Sequence, residues 1–234
     1  LVRVQPGVPS SLASFRCSCC FARVLSLEHL AELARTHETE LNAAVRGFAI
    51  GKTHFDFNAA SHLMGVVNLS TDSWYQESVC LTTESAIERG KLLVTQGAAL
   101  VDIGGESSVL DAERVDASSQ SARMVPAVRA LAEAGVPVSA ETYEPAVAEA
   151  CLKAGAVMIN LTGPGEAEAI YHLCAQHDAA VIICFVKGEN VRAVEDLELE
   201  TDPISVMHDY FAYEIERAEK AGAKKILIDP GLGF

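Results

Sequence analysis

Five short apolar runs in this chain each stop on an amide or a carboxylate: Val66-Val67-Asn68, Leu100-Val101-Asp102, Val138-Ser139-Ala140-Glu141, Met158-Ile159-Asn160 and Ile226-Leu227-Ile228-Asp229. They recur roughly every 20 to 70 residues, and most of the sequence between them reads as helix. Repetition of strand, polar tip and helix specifies a parallel α/β protein, whose strand tips share one functional face. The amides and carboxylates are thereby gathered into one site.

A chain of 234 residues with half its composition hydrophobic can bury the core of one large α/β domain. Eighteen basic residues against 32 acidic ones give a net charge of −14, a field that disfavours nucleic acid as a partner. A small anionic ligand would need local donors. The longest apolar run, Ala179 to Val186, is too short to cross a bilayer and too far inside the chain to be a signal peptide, so no membrane association is expected. The seven cysteines mostly fall in apolar helix or strand patterns, which suits a reducing cytoplasm. Cys17, Cys19 and Cys20 suggest a zinc site, but no second ligand pair follows; the alternative is an irregular or packed N-terminal stretch.

Residues 1–24, with Pro6 and Pro9, read as an irregular segment, and a start at Leu1 rather than Met suggests a fragment. Residues 25–62 form a helix and hairpin. Ser26 is the expected N-cap of a helix with Leu27, Leu30, Ala34 and Leu41 on one face. Phe48 to Phe57, alternating around Gly51-Lys52, predicts a small hairpin that would close the bottom of a barrel. From 63 to 234 the repeat takes over. Strands are expected near 63–68, 99–103, 136–140, 156–160, 180–185 and 225–229, and helices near 84–96, 119–134, 145–154, 166–177 and 204–221. Ile204, Met207, Phe211, Ile215 and Ala218 make the last helix clearly amphipathic. Right-handed β-α-β units with every polar tip on one side predict a TIM-type (β/α)8 barrel of which about six units are present. A dinucleotide-binding sheet would need Gly-x-Gly-x-x-Gly after the first strand, where this chain has Asn68-Leu69-Ser70-Thr71-Asp72. Truncation after the Gly-rich turn at Phe234 is the simplest account of six units instead of eight.

Five collinear motifs carry a family resemblance. Met64-Gly65-Val66-Val67-Asn68-Leu69-Ser70-Thr71-Asp72-Ser73-Trp74 resembles the first-strand signature of dihydropteroate synthases and related pterin-binding barrels. Asp102-Ile103-Gly104-Gly105-Glu106-Ser107-Ser108 resembles their second-strand loop. Glu141-Thr142-Tyr143, Ile159-Asn160 and Ile228-Asp229-Pro230-Gly231-Leu232-Gly233-Phe234 are similar to the third, fourth and sixth. The resemblance extends over about residues 47–234. It implies a transferase of folate biosynthesis that joins a 6-hydroxymethyl-dihydropterin pyrophosphate to p-aminobenzoate, with Mg2+ as cofactor and a homodimer as one possible assembly. By resemblance, Asp102, Glu141, Asn160 and Asp229 bind the pterin, Asn68 holds magnesium, and Asp72 and Ser108 on the loops are catalytic.

The residue chemistry is compatible with those roles. A pterin presents an amino group and a ring N–H side by side, which one buried carboxylate can accept as a pair; Asp229 is the candidate. Asn160 can both donate to and accept from the ring. Magnesium keeps several waters and bridges phosphate oxygens, so a single amide such as Asn68 is a credible protein ligand. Plainer readings stand beside these. Glu141 and Asp229 could pair with loop N–H groups, Asn68 could cap its strand, Asp102 could orient its neighbours, and Gly104-Gly105 could serve any tight turn.

Several positions depart from the family pattern. Glu141 stands where aspartate is usual. Ser70-Thr71-Asp72-Ser73-Trp74-Tyr75-Gln76-Glu77 replaces Thr-Pro-Asp-Ser-Phe-Ser-Asp-Gly. Ser108-Val109-Leu110-Asp111 replaces a threonine followed by Arg-Pro-Gly, and Cys184-Phe185-Val186-Lys187-Gly188 replaces a Met-His-Met-Arg-Gly pattern. The pterin end is kept while the second-substrate end changes. A non-catalytic pterin-binding paralogue and a folate-dependent methyl-transfer barrel are therefore the alternative functions.

Overall fold

The structure is a computed structural model that describes residues 26–70, 76–106, 115–186 and 202–231. The chain divides into two compact units, Leu1–Ala44 and Val45–Phe234. Within the first, Ser26 caps α1 (Leu27–Thr36) as the sequence predicts: its hydroxyl accepts from the His29 N–H, and the His29 ring accepts from the Ser26 N–H, both at 3.3 Å. A short α2 (Glu38–Leu41) follows. The apolar face of these helices stays at the surface, with Leu27 83% exposed.

In the second unit, β1 (Phe48–Ile50) and β2 (Thr53–Phe55) form the expected antiparallel hairpin. The hairpin belongs to the same unit as the strand-helix repeat, and α1 to the other. Six parallel strands then pair in chain order: β3 (Leu63–Asn68), β4 (Ala98–Gly104), β5 (Val138–Glu141), β6 (Met158–Leu161), β7 (Ala180–Cys184) and β8 (Ile226–Asp229). The helices that follow the first five are α3 (Thr83–Thr95), α4 (Ala117–Glu133), α5 (Pro145–Ala154), α6 (Ala167–Gln176) and α7 (Pro203–Lys220). These are five consecutive β/α units and a sixth strand of a TIM-type (β/α)8 barrel, the architecture expected. Among the described residues no helix is long and apolar enough to cross a membrane.

Residue alternation along the strands builds two different faces. Val67, Val101, Ile103, Val138, Ala140, Ile159, Val181 and Ile183 point outward and pack with helix residues such as Met124, Leu131 and Cys151. The intervening residues point inward, in storeys. Met64, Leu100, Met158, Ala180 and Leu227 form an apolar floor, packed with Ile50, Phe55 and Phe57 of the hairpin region. The hairpin therefore closes the bottom of the barrel, as predicted. Above that floor the inward residues turn polar.

The structure corrects two strand boundaries. Periodicity suggests 136–140 and 156–160, whereas β5 starts at Val138 and β6 at Met158. The preceding residues are still closing helices: the Val136 N–H bonds to Leu131 O and the Ala156 N–H to Cys151 O, both at 3.0 Å. Gly135 (φ 80°) and Gly155 (φ 111°) supply the left-handed turns that such helix ends require. A backbone donor committed to a helix end is not available to the sheet. The later start carries Glu141 and Asn160 within ordered strand, not in the loops beyond.

Candidate active site

Four inward residues lie side by side across the sheet: Asn68 pairs with Gly104, Gly104 with Glu141, and Glu141 with Asn160. One storey lower, Asp102 of β4 pairs with Ser139 of β5. Asp229 pairs with Cys184 on the far side. The five polar strand tips thus face one interior.

Asp102 is 5% exposed, and burial raises its carboxyl above the ordinary aspartate range. The Asn160 Nδ2 donates to its Oδ2 at 3.1 Å, partly offsetting that penalty and fixing the Asn160 amide. The fully buried Ser139 hydroxyl lies close enough to favour the Asp102 charge, yet it makes no well-formed hydrogen bond. Asp102 Oδ1, Ser139 Oγ and Asn160 Oδ1 are all buried without a hydrogen-bond partner among the described residues. Buried polar atoms in that condition cost roughly 1–3 kcal/mol each, so three together at the strand tips are candidates for meeting water or polar groups of another molecule.

Glu141 keeps a sliver of surface open to this interior, but its carboxyl is hemmed in. Burial, followed by the negative charge of Asp102, pushes it up to about 8; Glu106 adds to the rise, and the Thr162 hydroxyl, donating to Oε1 at 3.1 Å, opposes it. The Oε2 atom occupies the space over Gly104: a β-carbon there would collide with Glu141 Oε2 and come within 3.1 Å of Asn68 Oδ1. Position 104 must therefore lack a side chain if both neighbours keep their places.

Asn68 is held by its own surroundings. Its Nδ2 donates to the buried Ser78 Oγ at 2.6 Å, and its carbonyl accepts from the Cys80 N–H at 2.8 Å. Local capping is thus part of its role. Glu106 accepts from the Val115 N–H at 2.9 Å and from the Tyr143 hydroxyl at 2.6 Å, tying the segment after β4 to that after β5. Asp229 is half-buried and accepts the Gly231 N–H at 2.9 Å, so one oxygen orders its own loop. Cys184 is buried near Asp229 and Glu141. Burial first, then those two charges, pushes its thiol up to about 12, which makes it a neutral wall residue at physiological pH. The Tyr210 hydroxyl donates to the Cys184 carbonyl at 2.9 Å and so fixes the end of β7 to α7.

The structure therefore brings Asn68, Asp102, Glu141, Asn160 and Asp229 to one face. The expected catalytic residues Asp72 and Ser108, the altered positions Val109, Leu110 and Lys187, and Cys17, Cys19 and Cys20 lie outside the described residues. Ser139, Thr162, Ser78 and the Glu106–Tyr143 pair were not singled out from the sequence. Ser139 carried a signal, because period-two counting back from Glu141 puts it on the inward face. Thr162, Ser78 and Tyr143 lie past strand ends, where no periodicity applies.

Comparison with known proteins agrees with this geometry. The profile of the family described as pterin binding enzyme matches residues 64–234. A dihydropteroate synthase from Synechocystis is 32% identical over 79% of this chain and 65% of its own length. The solved dihydropteroate synthase of Yersinia pestis superposes with a TM-score of 0.71 at 27% identity, covering 81% of this chain and 69% of that one. The Burkholderia cenocepacia dihydropteroate synthase, solved with 7,8-dihydropteroate, superposes with a TM-score of 0.67 at 29% identity, covering 80% of this chain and 64% of that one. The chain thus spans about two thirds of the length of these relatives. With the family profile running from β3 through β8 and the same fold recovered in three dimensions, the chain belongs to the pterin-binding enzyme family.

Proposed function

We propose that the chain carries the pterin-binding part of a dihydropteroate synthase-type transferase, which condenses a 6-hydroxymethyl-dihydropterin pyrophosphate with p-aminobenzoate. The observation that carries this reading is the buried polar set of Asp102, Ser139 and Asn160 beneath Glu141, a floor of hydrogen-bonding atoms with partners still to be met. A flat heterocycle rich in N–H and ring-nitrogen groups matches it, and the Burkholderia relative holds 7,8-dihydropteroate.

In this reading Asn160, oriented by Asp102, contacts the ring, and Asp229 accepts the paired N–H groups of the pterin edge with its two oxygens, of which Oδ1 also holds the Gly231 N–H. The aromatic amine attacks the methylene carbon, a C–N bond forms, the C–O bond to pyrophosphate breaks with its electron pair, and the amine proton passes to solvent. No protein base is required, since an arylamine is already nucleophilic. Asn68 Oδ1, a hard oxygen at the tip of β3, fits magnesium, which when bound would neutralise charge on the leaving pyrophosphate. Four free, buried cysteines (Cys80, Cys151, Cys174 and Cys184) suit action in a reducing cytoplasm. Val109-Leu110 in place of an Arg-Pro pair supports a second reading, in which pterin binds and turnover is lost.

Calorimetric titration with a dihydropterin tests the assignment. Asp229→Asn exchanges a carboxylate acceptor pair for a mismatched amide and should weaken binding by about 2–4 kcal/mol. Equal affinity in the parent and the variant rejects Asp229 as the pterin anchor.

A further inference from the structure

Ser139 carries a hydroxyl with no outlet to solvent. It is 0% exposed, on the inward side of β5 and one storey below Glu141. Its register row reads Val66, Asp102, Ser139, Met158 and Ala180, from β3 to β7. Asp102 is the only other polar side chain in that row. A hydroxyl buried among apolar groups costs stability unless a polar partner uses it, so the serine points to its neighbour on β4.

Asn160 Nδ2 donates to Asp102 Oδ2 at 3.1 Å, a bond that joins β6 to β4 across the strand between them. Asp102 Oδ1, Asn160 Oδ1 and Ser139 Oγ are buried and lack a partner among the described residues. An ionised carboxylate and an amide oxygen only accept, so of these three Ser139 alone has a proton to give. Asp102 has the stronger claim on it. Asp102 bears the charge and stands next to Ser139 in register, and the hydroxyl and the Asn160 amide are the two groups that favour that charge against burial. A carboxylate so held goes on accepting from the Asn160 nitrogen. Turning the amide over would set oxygen against charged oxygen. Asn160 Oδ1 is then the acceptor left to a ligand N–H.

We propose that Ser139 is a positioning residue of this site: its hydroxyl steadies the Asp102 carboxylate, Asp102 holds Asn160 by the nitrogen, and Asn160 Oδ1 is thereby aimed at an N–H of the bound heterocycle. The last link rests on the pterin reading; the first two do not.

Nuclear magnetic resonance on the isotope-labelled full chain reads the first two links without any ligand. The Asn160 side-chain N–H signals are identified by their loss in Asn160→Ala. Ser139→Ala should speed their exchange with solvent at least about tenfold, the worth of one hydrogen bond to a charged group, and Ser139→Thr, which keeps the hydroxyl, should restore the parental rate. Calorimetry with a dihydropterin reads the last link. Ser139→Ala should weaken binding about tenfold in the parent but less than about twofold in an Asn160→Ala background, where the route through the amide is gone. Circular dichroism and melting curves verify folding, and if Ser139→Thr does not fold, exchange in Ser139→Ala and the double variant decide. Parental exchange in Ser139→Ala overturns the proposal. So does a folded Ser139→Thr that exchanges like Ser139→Ala, or affinity losses that multiply in the double variant. Faster exchange in Ser139→Ala with no dihydropterin bound by the parent leaves the positioning role standing and removes the pterin reading.

Discussion

At the scale of single residues, Glu141 shows how a site stores free energy in a carboxyl group. Unfolded, it releases its proton near the ordinary value of 4.5; folded, it holds the proton to about 8. Between those values the folded chain binds more protons than the unfolded one, so stability falls as pH rises. Its contribution is complete below 4.5, declines by up to about 1.4 kcal/mol per pH unit in between, and levels off above 8. Asp102, also raised by burial, acts in the same direction. Glu141→Gln removes the Glu141 part, so the melting temperature of the variant relative to the parent should improve from pH 5 to pH 8. A difference that stays constant over that range would mean that the carboxyl ionises freely in the folded pocket. The three atoms beneath it that lack partners among the described residues fit the same pattern, in which local stability is exchanged for binding groups in the proposed site.

At the scale of elements, a buried hydrogen bond and an ion pair tie α6 to α7. The Tyr171 hydroxyl donates to Glu214 Oε2 at 2.8 Å, Glu214 is 3% exposed, and Arg217 Nη1 reaches its Oε1 at 2.8 Å. Removing one member leaves a buried charge with fewer partners. Tyr171→Phe should therefore cost about 1–3 kcal/mol. Adding Glu214→Leu should cost less than the sum of the two single changes, because the second removes the group that the first leaves exposed to loss. Denaturant midpoints of the four proteins measure this, and strict additivity would show that the two residues act independently. This pair was not legible in the sequence, where Tyr171 and Glu214 are 43 residues apart and each fits its own helix pattern. The strands were legible, since inward and outward residues alternate over an apolar floor and a helix-packed outer layer. Their starts were not, because Val136 and Ala156 look like strand residues while their N–H groups complete helix ends. At the site, side-chain type located Asn68, Asp102, Glu141, Asn160 and Asp229, but not which oxygen of Glu141 faces Asn68. That follows from an empty β-position at Gly104 and a hydroxyl at Thr162, both consequences of register across strands distant in sequence.

At the scale of the whole molecule, the proposed function assigns pterin binding to strand tips and the second substrate to the changed segments that follow them in sequence. Asn160 and Asp229 sit at the ends of β6 and β8, held by Asp102 and by Gly231 respectively. Val109 and Leu110 stand where an arginine and a proline are usual, after the tip of β4. A positioned cation on a departing phosphate is worth several kcal/mol in a water-excluded site, and a rigid ring contact helps to align the arylamine. Losing both should slow condensation by orders of magnitude while leaving pterin affinity intact, because the two functions reside on different parts of the fold. Restoring the pair with Val109→Arg and Leu110→Pro should recover part of the rate without altering dihydropterin affinity. The measurement is pyrophosphate release in a coupled assay with p-aminobenzoate on the full-length protein. Turnover of about 1–10 s⁻¹ in the unaltered protein would show that other residues replace the missing pair. Slow turnover that the double substitution accelerates would place the defect at positions 109 and 110, and the division between the polar strand tips and those positions would then account for both the affinity and the rate.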